Sequence, residues 1–600
     1  MADDRVIPGY RSAFGDERRS PDHVVAWARE VLADRADAGA FADVWRIWSG
    51  TEAGSFAGRT LRLEDGGEVR VGDRVPDDLP HGYHRMDGDD GEILVLHPPR
   101  QVPSAGARPG WVVVAQLYAT RSADSWGHGD LRDARRLVEW VREGGPGGHV
   151  MINPLHAPAP GDDPEPSPYF ASSRVFRNPL YLCVDELPGA DRADVAPARQ
   201  AALALNADRL LDRRAAWAAK RRALAAVWEL QRREPAVAAR VDRWLADPVN
   251  RRYATWCALV EVGAEVPAAS AVDVTAAPGD EERFHAWLQL ELEDQLHAVG
   301  DVLIHDVAVG THRGADTWLW PGCYVLDGTR VGAPPDEFNT QGQDWGLPPY
   351  HPDGLRRAGY EPFVRAVRSS LFGAAGIRID HVMGLERLWW VPPGTSPADG
   401  VYVRYDLAEM LDVIAIEAHR ADAFVVGEDL GTVSEGIRRA MEDRRLLSYR
   451  VMALSDEHPH HYPAQAMAAL TTHDLPTALG LLTGRDLATQ EELDLHPNVE
   501  GTRAAVARLR AWAGADGGDE EPSAEEITVR LHEVLAGSPA HLVAATLEDL
   551  AGVAERPNMP GTTGDVWPSW RWGLPAPLDQ VLATERARRI RAAFAGRVEG

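Results

Sequence analysis

The sequence predicts an α/β protein built on a (β/α)8 TIM barrel, with helical insertions between strands 2 and 3 and a small β-rich N-terminal domain. Three observations lead there. From about residue 112 onward eight apolar runs recur: WVVVAQLYAT, GHVMINPLHAP, DVLIHDVAVG, GIRIDHVMG, AFVVGEDLG, LLSYRVMAL, MAALTTHDLP and AHLVAATLEDLAG. Most of them are followed by an amphipathic segment, and continuous apolar strands alternating with helices signal a parallel sheet covered on both faces. Asp306, Asp380, Glu428 and Asp474 fall at the ends of such runs, where a barrel of this kind places its reactive groups.

The chain divides in order. Residues 1–108 read as the N-terminal domain. Pro21–Asp34 begins with proline and carries apolar residues at helical spacing, which predicts one helix. Leu61, Leu63, Val69 and Val71 alternate with polar residues across an Asp-Gly-Gly turn, a hairpin pattern. PSAGARPG, residues 103–110, reads as a linker into the catalytic barrel, residues 109–600. Within the barrel, Asp130–Glu143 is expected to be helical, and residues 157–299 form a mainly helical insertion. There Leu203, Leu210, Trp217 and Leu224 recur every seven residues, so Ala198–Gln231 is expected as one long helix. Val241–Val262 and Glu281–Val299 are expected as two more. A second insertion, 318–350, rich in Gly, Pro and aromatic residues, is expected as a loop serving the site.

Composition excludes several classes. The 600 residues carry 91 acidic and 63 basic side chains, a net charge of −28, which disfavours nucleic acid and anionic membranes as partners. No run approaches a membrane-spanning length, and the N-terminus lacks the apolar stretch of a signal peptide. Three cysteines, Cys183, Cys257 and Cys323, are too few and too scattered for a disulfide framework and fit a reducing cytoplasm. No phosphate loop, dinucleotide fingerprint or HExxH occurs, so no cofactor is expected. No cluster with metal-ligand spacing is present, and no metal requirement is expected. Lys220 alone among 600 residues is a lysine and lies in an Arg-rich helix, which argues against Schiff-base chemistry.

What remains is carboxylate chemistry. Arg378 and Asp380 are two residues apart on a strand and so share a face. A guanidinium beside a carboxylate favours its charged form, as a nucleophile requires. Glu428 follows the apolar Phe424–Gly427 and has acidic neighbours, which raises a carboxyl's pKa and suits a general acid. One attacking carboxylate and one proton-donating carboxyl are the requirement of retaining glycosidic chemistry. His473 is placed to donate to a sugar hydroxyl, and Trp389 and Trp390 offer flat faces for stacking on sugar rings.

RIDHVMGLERLWW, VVGEDLGTV and TTHDLPT resemble the three catalytic segments of the 4-alpha-glucanotransferases (amylomaltases, disproportionating enzymes) of the α-amylase clan. SPYFASSRVFRNPLYL at 167–182, GAPPDEFNTQGQDWGLPPY at 332–350 and RPNMPGT at 556–562 resemble that family's substrate-binding segment, arching loop and C-terminal signature. The N-terminal region resembles the extra β-domain of its longer bacterial members. The resemblance implies Asp380 as nucleophile, Glu428 as general acid/base and Asp474 as the holder of the distorted sugar's hydroxyls. It implies Arg378, His381 and His473 around the reacting sugar, Tyr169 stacked under it and Asp306 in support. It also implies Phe338 and Trp345 against the glucan chain. Expected partners are maltodextrins, starch- or glycogen-derived α-1,4-glucans and glucose, acted on by a cytoplasmic monomer or homodimer. A hydrolase of the same clan and a non-catalytic glucan-binding protein are the alternatives; the latter has no need of all three carboxylates.

Overall fold

The computed structural model describes residues 2–11, 15–33, 39–335, 341–431, 433–495, 497–515, 521–562 and 564–599. Eight strands close into a barrel in chain order, each paired with the next and the last with the first. They are β1 (Gly110–Ala115), β2 (Gly148–Ile152), β3 (Leu303–Val307), β4 (Gly376–Ile379), β5 (Phe424–Gly427), β6 (Leu447–Val451), β7 (Ala466–Ala469) and β8 (Leu542–Thr546). Each coincides with one of the eight apolar runs. Every residue of β1, β3, β4, β5, β7 and β8 is buried. Side chains pointing inward fill the barrel and those pointing outward meet helices, which favours apolar residues on both faces; β6 differs, with Ser448 and Arg450 half-buried between Leu447, Tyr449 and Val451.

Local signals set the helices. Leu131–Glu143 starts at Asp130, whose carboxylate accepts from the backbone N–H groups of Arg132 and Asp133, while the Asp130 N–H donates to the Asp133 side chain. This reciprocal cap satisfies donors that the first turn leaves free.

The insertion between β2 and β3 contains Ala196–Ala204, Arg213–Gln231, Pro235–Leu245, Pro248–Glu261 and Asp280–Val299 as α-helices. The single helix expected over Ala198–Gln231 is therefore broken. Arg121 draws the carbonyls of Leu205 and Asp208 out of the helical ladder (3.3 and 2.7 Å), and Asp212 caps a new start by accepting from the Ala215 N–H. Leu210, one member of the seven-residue stripe, is 38% exposed as a result. The helix expected over Val241–Val262 likewise becomes two, because Pro248 begins a fresh helix capped by Asp247. Lys220 is wholly buried; its Nζ donates to the carbonyls of Leu180 (2.6 Å) and Leu182 (2.8 Å) and lies 3.8 Å from Asp130. An ammonium so enclosed ties the 180–182 segment to the helix.

Near the N-terminus, Asp22–Ala33 is helical and a five-stranded sheet runs in the order Phe41–Arg46, Gly91–His97, Gly82–Gly88, Thr60–Arg62, Glu68–Arg70. Leu61 faces Val69 across the predicted hairpin. A second five-stranded sheet joins Val6–Ile7, Val401–Arg404, Arg387–Val391, Arg330–Ala333 and Gln343–Leu347. Trp389 and Trp390 lie in it at 1% and 0% exposure, with their indole N–H groups donating to the Pro397 carbonyl and the Tyr405 hydroxyl. They are core residues, and the expectation that they stack on sugar is withdrawn.

Backbone contacts divide the chain into two compact units. One comprises residues 1–105, 307–372 and 376–448; the other comprises 106–306, 373–375 and 449–600. Within the first, the N-terminal sheet is fastened to barrel helices by partly buried ion pairs. Arg356 donates to Asp43 (2.6 Å) and Glu409 (2.9 Å), and Asp412 accepts from Arg46 and Arg444.

Candidate active site

In the first unit the site grows from the end of β4. Arg378 and Asp380 share a face, and the guanidinium lies 3.0 Å from the carboxylate. Arg378 is almost fully enclosed and Asp380 is 22% exposed, so the acid faces the barrel mouth with a fixed positive partner, which favours its ionised form. The chain then turns through His381 at φ 46°, a left-handed conformation costly for a residue with a Cβ. That turn delivers the His381 N–H to Glu428 Oε2 at 2.9 Å, and the Leu430 N–H donates to Oε1 at 2.7 Å.

Glu428, one residue beyond β5, is buried, and burial is the main reason its carboxyl is pushed up to about 7. The neighbouring Asp380 charge raises it further, against the opposing pull of Arg378 and the two backbone donors. The same strand ends thus supply one carboxylate beside a guanidinium and one carboxyl able to hold a proton near neutrality. Burial, with Arg387 adding to it, pushes the His381 imidazole down to about 4. It is neutral at physiological pH, and Trp345 stands edge-on to it at 5.0 Å between ring centres. Phe338, expected beside Trp345, lies outside the described residues.

In the second unit, Tyr169 donates its hydroxyl proton to Asp306 Oδ2 at 2.6 Å, at the end of β3. Its ring stacks on His473 (4.9 Å, 17°) and leans on Trp570 (5.3 Å). His473 Nε2 is 3.1 Å from Asp474 Oδ2, and Asn558 Nδ2 donates to Asp474 Oδ1 at 2.8 Å. Arg556 donates to the Asp474 main-chain carbonyl. Asp474 is thereby held from two sides while its side chain remains 47% exposed. Glu548, just past β8, carries a carboxyl pushed up to about 7 by burial and by Asp549, with His473 opposing.

Every candidate residue among those described therefore sits at or beside the C-terminal end of a barrel strand, or on the 167–182 and 343–347 segments. Arg556, Asn558, Trp570 and Glu548 were not singled out from sequence. RPNMPGT contains the first two of these, but no local pattern marks a side chain that acts on a residue 84 positions away.

A closed parallel barrel with carboxylates at the ends of β3, β4 and β5 defines a (β/α)8-barrel protein with an acidic set of strand ends. Comparison with known proteins narrows the class. The family profile Glyco_hydro_77, described as 4-alpha-glucanotransferase, matches residues 115–578. A 4-alpha-glucanotransferase of Mycobacterium tuberculosis is 39% identical over 579 residues, covering 85% of this chain and 78% of that protein. One from Haemophilus influenzae is 30% identical over 593 residues, covering 84% and 82%. The crystal structure of amylomaltase from Corynebacterium glutamicum superposes with a TM-score of 0.85 at 26% identity, over 98% of both chains. The chain belongs to the 4-alpha-glucanotransferase family.

Proposed function

We propose that the protein transfers segments of α-1,4-glucans between chains by two successive displacements at one anomeric carbon. An Asp380 oxygen attacks that carbon as the bond to the leaving glycosidic oxygen breaks, and the Glu428 proton passes to the leaving oxygen. The sugar is then held as an ester of Asp380. The 4-hydroxyl of glucose or of another glucan enters, its proton returns to Glu428, and the ester bond breaks with retained configuration. Asp474, braced by Asn558 and Arg556, holds hydroxyls of the distorted sugar. Tyr169, His381 and His473 line its berth, Asp306 orients Tyr169 through the 2.6 Å bond, and Trp345 meets the chain beyond.

The observation that carries this reading is the pairing of opposite environments at β4 and β5. Asp380 has a guanidinium at 3.0 Å, while the buried carboxyl of Glu428 rises to about 7. Two carboxyl groups pushed toward opposite protonation states divide the roles of nucleophile and acid. Transfer rather than hydrolysis follows if sugar outcompetes water for the covalent intermediate, a role suited to the aromatic loop around Trp345. Incubation with maltotriose alone is the test: glucose and longer maltodextrins are expected with reducing ends constant. Reducing ends rising as fast as maltotriose disappears would make the protein a hydrolase.

A further inference from the structure

Asp474 is also held along its own chain, from the side of β8. Four residues after it the chain enters the helix Ala478–Leu482, whose cap Thr477 accepts from the Gly480 N–H at 3.1 Å. A helix leaves its first N–H groups without partners of its own. The Ala478 N–H is met from outside the helix, by Asp549 Oδ1 at 2.9 Å. Asp549 is itself fixed just past β8, where its N–H donates to the Thr546 hydroxyl at 3.2 Å. The segment carrying His473 and Asp474 is thus tied to the end of β8 through one carboxyl oxygen.

The other oxygen of that carboxyl sets a chemical condition. Asp549 Oδ2 faces His532 Nε2, on the helix Ala524–Ala536, at 3.7 Å, and both side chains are wholly enclosed. Neither atom has a hydrogen-bond partner among the described residues. His532 Nδ1 lies 2.8 Å from the Thr528 carbonyl, which can only accept, so Nδ1 carries a hydrogen. A neutral His532 therefore turns a lone pair toward Asp549. Against an ionised Asp549, two acceptors confront each other away from water, and each loses its hydration with nothing in return. One added proton, on either atom, makes a donor and an acceptor of them; two added protons make two donors. Burial opposes both charges, pushing the Asp549 carboxyl up and the His532 imidazole down, which places the single proton on Asp549. Arg586, which pulls the Asp549 carboxyl the other way, is engaged by Glu525 at 2.6 Å. Glu548, next in the chain, has a carboxyl itself pushed up to about 7, and Phe594 covers the imidazole at 5.8 Å.

We propose that Asp549 is a positioning residue for Asp474, locked in place by a single proton between its Oδ2 and His532 Nε2. The inference rests on the reading above in which Asp474 holds the distorted sugar. It is tested by maltotriose turnover in Asp549→Ala, Asp549→Asn and Asp474→Asn protein. Asparagine keeps an oxygen for the Ala478 N–H and presents an N–H to His532 Nε2, so it reproduces the protonated carboxyl and cannot titrate. Asp549→Ala is expected to lower kcat roughly 10- to 100-fold with KM within about twofold of the parent, and Asp549→Asn to restore kcat to within about threefold. Parent kcat in the alanine form, a rise in KM in place of the fall in kcat, or equal losses in the alanine and asparagine forms would overturn the positioning role. Nitrogen NMR of histidine-labelled parent protein reads the proton itself. The His532 ring is expected to keep one state, with Nδ1 protonated, between about pH 5 and 8, and titration within that range would overturn the shared proton. Where the alanine form does not fold, the asparagine form and this spectrum decide, a tenfold loss of kcat in Asp549→Asn overturning the proposal. Asp474→Asn protein as active as the parent would instead overturn the reading of Asp474, and the positioning role with it.

Discussion

At the scale of single residues, the proton on Glu428 governs behaviour. Its carboxyl titrates at about 7 because it is buried beside Asp380. The step that needs an acid therefore loses rate as pH rises through about 7, and kcat/KM for maltotriose is expected to fall roughly tenfold per pH unit above that point. The same shift bears on stability. In the unfolded chain this carboxyl titrates near its ordinary 4.5, so between 4.5 and about 7 the folded state retains a proton that the unfolded state has released. Stability accordingly declines across that window as pH rises, by about 3 kcal/mol from this group. Glu428→Gln is expected to raise the melting temperature at pH 8 more than at pH 4; equal effects at both values would show that the carboxyl is not held protonated. Asn558 offers a further test, because its 2.8 Å bond aims the Asp474 carboxylate. Asn558→Ala is expected to lower kcat roughly 10- to 100-fold with a smaller change in KM, as for a displaced transition-state contact.

At the scale of elements, ion pairs fasten the N-terminal sheet to the barrel helices of its own unit. The Asp412 side chain has no exposed surface and accepts from both Arg46 and Arg444. Asp412→Ala leaves two guanidinium groups without their partner and is expected to cost about 3–5 kcal/mol, read by denaturant unfolding. Removing residues 1–105 strips Arg46 from Asp412, Asp43 from Arg356 and the strand Val6–Ile7 from Val401–Arg404. The truncated protein is expected to turn over maltotriose at room temperature, because the carboxylates lie beyond the deletion, but to inactivate faster on heating. The barrel strands were legible because a strand buried on both faces must be apolar throughout, as Trp111–Ala115 is. Asp380, Glu428 and Asp474 stand out as candidates in the sequence because each interrupts such a run at its end. The helix stripe through Leu210 was misleading, since the break at 205–212 depends on Arg121, more than 80 positions away. Trp389 and Trp390 look like ligand surfaces only until the neighbouring strands that bury them are known. Asn558 and Trp570 gain their roles from loop placement, to which no local periodicity corresponds.

For the whole molecule, charge and chemistry agree. A net charge of −28 suits a neutral substrate. Glu261, Glu281 and His285 form one group of ligand-type side chains among the described residues, and Arg221 already donates to both glutamates at 2.8 and 3.3 Å. Activity is expected to survive dialysis against EDTA; a loss restored by calcium would contradict this. In the proposed reaction Asp380 carries the sugar while Glu428 serves as acid and then base. The most direct measurement is mass spectrometry of Glu428→Gln protein after reaction with an activated α-glucosyl fluoride. Fluoride leaves without strong acid assistance, whereas release of the sugar from the enzyme lacks its base. One glycosyl unit is expected to accumulate on the peptide containing Asp380 and to be absent when Asp380→Asn is added. Label on another residue, or none at all while the fluoride is consumed, would contradict the account.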